Sequence, residues 1–299
     1  MSSSADSKPP RASATVMLLR EAADGLEVLM TRRHEKLAFM GGLWVFPGGT
    51  LHTADAAPRM LARISNPAAC QQFTSLQGEA LSTQQCLGLL AAACRETFEE
   101  TGVLLAVAAD DHPCPEEVCS RLQSERRAVA TQSDRFVLLL EREQLLLDAR
   151  RLVYWAHWIT PSRAPRRFDT HFFAVALHAD QAVTPDATET TECRWLTPAS
   201  ILSLADRAEM PLSPPTLCTL IDLQDSYGRH GSLRTLLAAE ERRSVPPILP
   251  KMHEEDAQTT IVLPWDEHYA SLPGESAPAH IEYPSLLKAR LSRLALRRR

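Results

Sequence analysis

The chain has 299 residues, with 32 Lys and Arg against 37 Asp and Glu, which gives a formal net charge of −5. Hydrophobic residues make up 44% of the sequence and charged residues 23%, a balance that excludes general disorder. No apolar run approaches the roughly 20 residues that a transmembrane helix needs, and the first 13 residues lack the apolar stretch of a signal peptide. We therefore expect a cytoplasmic protein with a disordered N-terminus over residues 1–13.

The cysteines and the basic C-terminal residues can each be interpreted in two ways. Seven cysteines without a CxxC motif predict reduced structural thiols. Cys114 and Cys119 have the spacing of half a metal site, but no second half follows, so zinc is not indicated. Residues 287–299 carry six basic residues and no acidic one. This basic tail fits an anion-binding element or a solvated amphipathic helix, and we favour the helix because the rest of the chain is acidic and would repel nucleic acid.

The first predicted elements form a hairpin and a short third strand. Two β-prone runs, residues 14–20 and 27–33, flank Asp24-Gly25, which is a strong turn signal. Residues 43–46 predict a further strand that ends at Pro47-Gly48-Gly49. Proline stops the ladder there and the glycines free the backbone to turn tightly, so we expect a loop with functional geometry.

The clearest predicted helix covers residues 82–100. Ser82 and Gln85 fit a capping box at its start, and Gly102 stands just past its end as a stop signal. The preceding residues, 56–81, show no clear pattern, and we interpret them as an insertion.

Candidate strands and helices alternate through the rest of the chain. Strands are predicted over residues 103–108, 152–159, 171–177, 191–195 and 259–263, and helices over residues 115–131, 134–150, 198–207 and 214–227. Strands before and after long helices indicate an α/β sandwich rather than a doubly wound sheet. We predict one domain over residues 14–227 and a C-terminal extension over residues 228–299 that wraps it.

Three carboxylates crowd the end of the predicted helix. Glu96, Glu99 and Glu100 are spaced i, i+3 and i+4, so they project from one helical face. Their mutual repulsion is unfavourable, and so is their place at the negative end of the helix dipole. A divalent cation would resolve this conflict, because Mg²⁺ and Mn²⁺ prefer oxygen ligands. The alternative, a solvated acidic helix end, is weakened by the adjacent Arg95 and by the glycine loop, which is suited to phosphate.

This pattern resembles the Nudix hydrolase signature, G-x5-E-x7-R-E-U-x-E-E-x-G-U, in which U is aliphatic. Six positions of its second half match: Arg95, Glu96, Glu99, Glu100, Gly102 and Val103. Thr97 occupies a position that is usually aliphatic. The first half begins at Gly49, but Asp55 stands where glutamate is usual, and 39 residues rather than 7 separate it from Arg95. The signature is therefore split by the insertion.

A split signature resembles a subgroup, the coenzyme A diphosphatases of the peroxisomal type, here in a bacterial-like form. Residues 39–40, 46–49, 167–173 and 210–215 also resemble this subgroup. The resemblance implies a Nudix-type α/β/α sandwich with a mixed sheet. It also implies hydrolysis of coenzyme A or acyl-coenzyme A to 3′,5′-ADP and (acyl-)phosphopantetheine. Two alternatives stay open: a hydrolase of a nucleotide sugar, dinucleotide or damaged nucleoside triphosphate, and a non-catalytic module that senses a nucleotide.

The resemblance also implies roles for individual residues. Catalytic roles fall to Arg95 and Glu99. Ligands for Mg²⁺ or Mn²⁺ would be Glu96, Glu99 and Glu100. Residues for binding substrate or phosphate would be Arg32, Arg33, Gly48 and Gly49. Asp55 is a candidate metal or helix-orienting ligand, and Glu189 and Glu192 are alternatives to Glu99 as general base. We expect a small-molecule nucleotide substrate and neither a membrane nor a nucleic-acid partner, and a homodimer stays open.

Overall fold

The computed structural model describes residues 9–71, 73–132, 134–179, 181–255, 258–278, 281–283 and 291–296. Its strands are β1 (Arg11–Ala22), β2 (Gly25–Arg33), β3 (Trp44–Val45), β4 (Gly48–Thr50), β5 (Ala106–Ala108), β6 (Leu145–Leu147), β7 (Val153–Ile159), β8 (Phe168–Ala176), β9 (Thr190–Leu196), β10 (Pro247–Ile248), β11 (Lys251–Glu255), β12 (Gln258–Val262) and β13 (Arg293–Leu296). Its helices are α1 (Pro58–Leu61), α2 (Thr83–Thr101), α3 (Glu116–Leu122), α4 (Arg126–Thr131), α5 (Asp134–Arg142), α6 (Pro198–Asp206), α7 (Pro214–His230) and α8 (Leu233–Glu240).

An eight-stranded mixed sheet organises these elements. Its main order is β10-β7-β8-β1-β2-β3, while β4 pairs with β1 and β9 pairs with β2. The long strand β1 runs parallel to β8 and antiparallel to β2 and β4. The β1–β2 hairpin turns at residues 23–24, and Gly25, which begins β2, has a φ of 106°, in the region that favours glycine. The predicted hairpin is therefore confirmed.

Both faces of the sheet are covered by helices. Along β1, side chains alternate between the two faces, as the period of a strand requires. Val16 and Leu18 are fully buried in a core shared with α2, whereas Met17 and Leu19 are fully buried in a core shared with α7 and α8. This layering confirms the predicted α/β/α sandwich with a mixed sheet.

Helix α2 begins and ends where its sequence signals lie. The Ser82 hydroxyl accepts a hydrogen bond from the Gln85 N–H, and the Gln85 side chain accepts one from the Ser82 N–H. The helix ends at Gly102, whose φ of 78° is left-handed. Its apolar face, including Leu90 and Phe98, is buried against the sheet. Among the helices that the structure describes, none has the length and apolar character needed to cross a membrane.

Two local predictions are wrong. The helix predicted over residues 134–150 ends at Arg142, because the chain reverses at Gln144 with a φ of 55°, and Leu145–Leu147 then forms β6 against β5. Disorder was predicted up to residue 13, but Arg11–Ser13 belong to β1, because β8 offers a parallel partner for them. Residues 1–8 lie outside the described residues.

The C-terminal extension contributes to the fold more than predicted. Helix α8 packs on the core, and β10 adds a parallel strand to β7 at the edge of the main sheet. The predicted terminal helix is wrong where the basic tail is described. There β13 pairs with β12, Leu294 is buried, and the Arg293 guanidinium binds both carboxylate oxygens of Asp266. Residues 287–290 and 297–299 of the tail lie outside the described residues.

Candidate active site

A fully buried arginine, Arg95, ties the two halves of the split signature together. Its Nε and one terminal nitrogen donate hydrogen bonds of 2.8 and 2.9 Å to the two carboxylate oxygens of Asp55. The other terminal nitrogen donates to Glu96 at 2.9 Å and to Glu99 at 3.0 Å, and a fifth bond reaches the Thr50 carbonyl. A guanidinium has five N–H donors. These bonds satisfy all of them, which is the condition for burying such a charge without a large penalty.

Asp55 binds Arg95 directly, and its charge also contributes to the raised pKa values of Glu96 and Glu99. Its side chain is fully buried, and besides Arg95 it accepts a hydrogen bond of 2.8 Å from the His52 N–H. The insertion begins directly after Asp55 and runs beside the start of α2. There the Gln84 side chain donates a 2.9 Å hydrogen bond to the Ala56 carbonyl. Although aspartate is shorter than the usual glutamate, it reaches Arg95 with both oxygens across the 39-residue gap.

The glycine loop lies directly against the carboxylates of α2. A Cβ added at Gly49 would come within 2.3 to 2.6 Å of the Glu96 carboxylate, closer than atoms can pack. The Gly48 N–H donates a 3.2 Å hydrogen bond to Glu100. A side chain at position 49 would therefore have to displace the Glu96 carboxylate, and the Gly48 N–H faces the cluster.

Burial makes this cluster electrostatically unusual. Burial, with the nearby charge of Glu99, raises the pKa of Glu96 to about 7 even though Arg95 opposes the shift. Burial also raises the pKa of Glu99, and it raises that of Glu100 well above the ordinary value, with help from the charge of Glu96. Arg95 pairs with the carboxylates of Asp55, Glu96 and Glu99. Glu100 lies near the charges of Glu96 and Arg33, so four carboxylates share two guanidinium charges. Such an excess of buried oxygen ligands fits a divalent cation.

Of the two neighbouring arginines on β2, Arg33 is the one that acts on the cluster. Its positive charge opposes the rise in the pKa of Glu100, and its Nε is buried without a hydrogen-bond partner. Arg32 instead donates a 2.9 Å hydrogen bond to the exposed Glu35. The alternation of side chains along a strand separates these two adjacent residues. The structure therefore brings Arg33, but not Arg32, to the predicted site.

The two candidate bases before and within β9 are also separated. Glu189 raises the pKa of both Glu99 and Glu100 by its negative charge, so it lies near the cluster. The loop that carries it is fixed by Asp186, whose carboxylate accepts hydrogen bonds from backbone N–H groups of residues 188–190. Glu192 instead pairs with Arg194 on the same strand.

Sequence reasoning missed the side chains that cap the end of α2. Arg126 donates hydrogen bonds to the carbonyls of Phe98 and Glu99 at 3.0 and 2.9 Å, and Gln123 donates to the Gly102 carbonyl at 2.7 Å. The last carbonyls of any helix lack partners within it. A hydrogen-bond donor for these carbonyls could therefore be expected, but nothing in the sequence indicated that Gln123 and Arg126 supply it.

A second buried polar cluster lies on the same face of the sheet. His157 binds Asp169 at 2.5 Å, and its ring stacks on that of His171 with a centroid distance of 4.2 Å. His171 is in turn hydrogen-bonded to the Tyr154 hydroxyl at 2.8 Å. Burial, followed by the neighbouring His157, holds the pKa of His171 well below its ordinary value. His171 is therefore a buried histidine that is held by a hydrogen bond within the protein.

The fold and the arrangement on α2 define a Nudix protein. The crystal structure of a NUDIX hydrolase from Alicyclobacillus acidocaldarius superposes with a TM-score of 0.64 over 80% of this chain and 97% of that chain, at 22% identity. This likeness shows the fold. The model of the NUDT19 Nudix domain matches residues 3–223, so the chain belongs to that family.

Two curated relatives carry the same family name. The acyl-coenzyme A diphosphatase NUDT19 of Xenopus laevis is 28% identical over 223 residues, which is 63% of this chain and 57% of that protein. The human protein of that name is 27% identical over 221 residues, covering 64% of this chain and 59% of its own length. The chain thus spans about three fifths of the length of these relatives.

Proposed function

We propose that the chain is a metal-dependent diphosphatase that hydrolyses coenzyme A or an acyl-coenzyme A to 3′,5′-ADP and (acyl-)phosphopantetheine. The observation that carries this proposal is the buried excess of carboxylates on α2, held in place by Arg95 and Asp55. Membership of the NUDT19 Nudix family supports the reaction class, and the two relatives named as acyl-coenzyme A diphosphatases support the substrate class.

Glu96, Glu99 and Glu100 would hold Mg²⁺ or Mn²⁺. The ion would neutralise the diphosphate and lower the pKa of the attacking water. Arg95 holds Glu96 and Glu99 at fixed positions through hydrogen bonds of 2.9 and 3.0 Å. Arg95 is thus a positioning residue, because its own N–H groups are all engaged within the protein.

Arg33 is the side chain that we assign to a substrate phosphate. Its buried Nε has no hydrogen-bond partner, and a buried donor of this kind calls for an acceptor. A phosphate oxygen provides one and also offsets the guanidinium charge. Arg32, which already pairs with Glu35, would serve as a matched control for this role.

The general base is proposed to be Glu99 or Glu189. Both lie within electrostatic reach of the other cluster carboxylates, and burial raises the pKa of Glu99, which suits a group that must take a proton from water. Replacing Glu189 by Gln should lower kcat if it is the base, whereas Glu192→Gln should leave kcat unchanged because Glu192 pairs with Arg194. Equal kcat values for the Glu189→Gln variant and the unaltered chain would assign the role to Glu99.

The test is a substrate panel with products followed by mass. Coenzyme A, acetyl-coenzyme A, ADP-ribose, NADH, a nucleotide sugar and an oxidised nucleoside triphosphate would each be incubated with the chain and Mg²⁺ or Mn²⁺. We expect release of phosphopantetheine or its acetyl form from the first two. Glu100→Gln should abolish this turnover, and the exposed Glu117→Gln should not. Preferential cleavage of another nucleotide would overturn the substrate, and silence across the panel would favour a nucleotide-sensing module.

A further inference from the structure

Two cysteines face each other at the start of α3. Cys114 stands just before the N-cap residue Pro115, and Cys119 is the fourth residue of the helix. Side chains at these two positions meet across the first helical turn, where many helices carry an apolar pair. The backbone fixes this arrangement, since the Cys119 N–H donates a 3.0 Å hydrogen bond to the Pro115 carbonyl. The result is an Sγ–Sγ distance of 3.1 Å.

This pair differs from the other cysteines. All seven cysteines lie among the described residues, and none of them forms a disulfide. Cys114 and Cys119 are partly exposed, as are Cys70 and Cys193, but the sulfurs of this pair lie 3.1 Å apart. Their mutual hydrogen bond lowers the pKa of Cys119, and the same bond, together with burial, raises that of Cys114. We take Cys119 as the thiol that attacks first, because this hydrogen bond favours its thiolate and the thiolate is the reactive form.

We propose that Cys114 and Cys119 form an oxidative modification site that closes to a reversible disulfide in exchange with a small-molecule disulfide such as glutathione disulfide. The Cys119 thiolate attacks one sulfur of glutathione disulfide, which forms a mixed disulfide and releases one glutathione thiolate. The Cys114 thiolate then attacks the Cys119 sulfur and releases the second. Two electrons pass from the protein thiols to glutathione disulfide, and the two protons that the cysteines lose are taken up by the two glutathiones.

The geometry favours closure over a stable adduct. The sulfurs need to approach by only ~1 Å to reach bonding distance. Both cysteines belong to one short segment, so the closure moves no other element. The far end of that segment carries Gln123 and Arg126, which donate to the last carbonyls of α2. The modification site therefore lies at the opposite end of the segment that caps the carboxylate helix.

The experiment uses the full chain equilibrated in mixtures of glutathione and glutathione disulfide. After an acid quench, alkylation and digestion, the mass of the peptide that contains both cysteines would be measured by mass spectrometry. In oxidising mixtures we expect this peptide to carry no alkyl group. Its mass should be lower than that of the unalkylated reduced peptide by two hydrogen atoms. Reduction should restore both thiols. Cys70→Ser, which removes another partly exposed cysteine, should leave this change intact.

Single variants test the order of attack. Cys114→Ser should trap a glutathione adduct on Cys119, because the resolving thiol is gone. Cys119→Ser should leave Cys114 largely unmodified under the same conditions. Two alkylated thiols in the unaltered chain at the most oxidising ratio would overturn the proposal. A stable glutathione adduct on Cys119 beside a free Cys114 would overturn it as well.

Discussion

Two buried polar clusters share one face of the sheet but differ in their balance of charge. Ala14 of β1 pairs with His171 on one side and with Gly49 on the other, so the clusters stand about two strand spacings, or ~10 Å, apart. In the cluster at Arg95, three carboxylates pair with its guanidinium, and a fourth, Glu100, lies near Glu96 and Arg33. Around Asp169, one carboxylate meets two imidazoles and a tyrosine. Arg95, His157 and His171 are all buried, so the excess of negative charge is what distinguishes the candidate cation site at Arg95.

The largest effect should come from removing the guanidinium of Arg95, which pairs with the buried carboxylates. Arg95→Ala leaves Asp55 buried with an uncompensated charge, so we expect the free energy of unfolding to fall by about 3–5 kcal/mol. Urea denaturation would measure it. The control is Arg121→Ala, which breaks an exposed ion pair with Glu143 and should cost at most about 1 kcal/mol. Equal losses for the two variants would contradict the central role of Arg95.

An intermediate effect should follow from crowding the same cluster. In Gly49→Ala, the new Cβ would meet the Glu96 carboxylate at 2.3 to 2.6 Å and displace it. We expect a stability loss of about 1–3 kcal/mol, and a fall in metal-dependent turnover of about 100-fold if the proposed function holds.

The matched control for this variant is Gly228→Ala. Gly228 lies in α7, and nothing lies within 4 Å of a Cβ added there. Alanine is the better helix former, so this change should stabilise the chain by about 0.5–1 kcal/mol without lowering turnover. A Gly49→Ala variant with the turnover of the Gly228→Ala variant would show that the Glu96 position is not critical.

The sequence predicted those features that depend on local periodicity. The i, i+3, i+4 spacing of the three glutamates sets one helical face, and the capping box and Gly102 set the ends of α2. By contrast, 39 residues separate Asp55 from Arg95, and no helical or strand periodicity across them predicts that the two side chains meet. The choice of Arg33 over Arg32 depended on which face of β2 each side chain takes, and that is decided by the register of the sheet.

The errors in the fold have similar causes. Residues 134–150 are rich in leucine throughout, so the pattern gave no sign that Gln144 adopts a left-handed conformation and starts a strand. The two-residue strand β10 is too short to carry a pattern, and it forms because β7 offers a free edge. In the basic tail, the pairing with β12 and the ion pair between Arg293 and Asp266 favour a strand over a terminal helix.

The smallest of the three effects should appear in the second cluster as a dependence on pH. The pKa of His171 is lowered in the folded chain, so the unfolded chain binds the extra proton first as the pH falls below about 6.5. His171 therefore contributes stability that is present above this pH and is lost as the pH falls toward the folded pKa. Urea denaturation from pH 7.5 down to pH 5 should show a shallower decline for His171→Asn than for the unaltered chain. His112 is exposed, so His112→Asn should lose as much stability between pH 7.5 and pH 5 as the unaltered chain. If His171→Asn also loses as much as the unaltered chain, protonation of His171 does not govern acid stability.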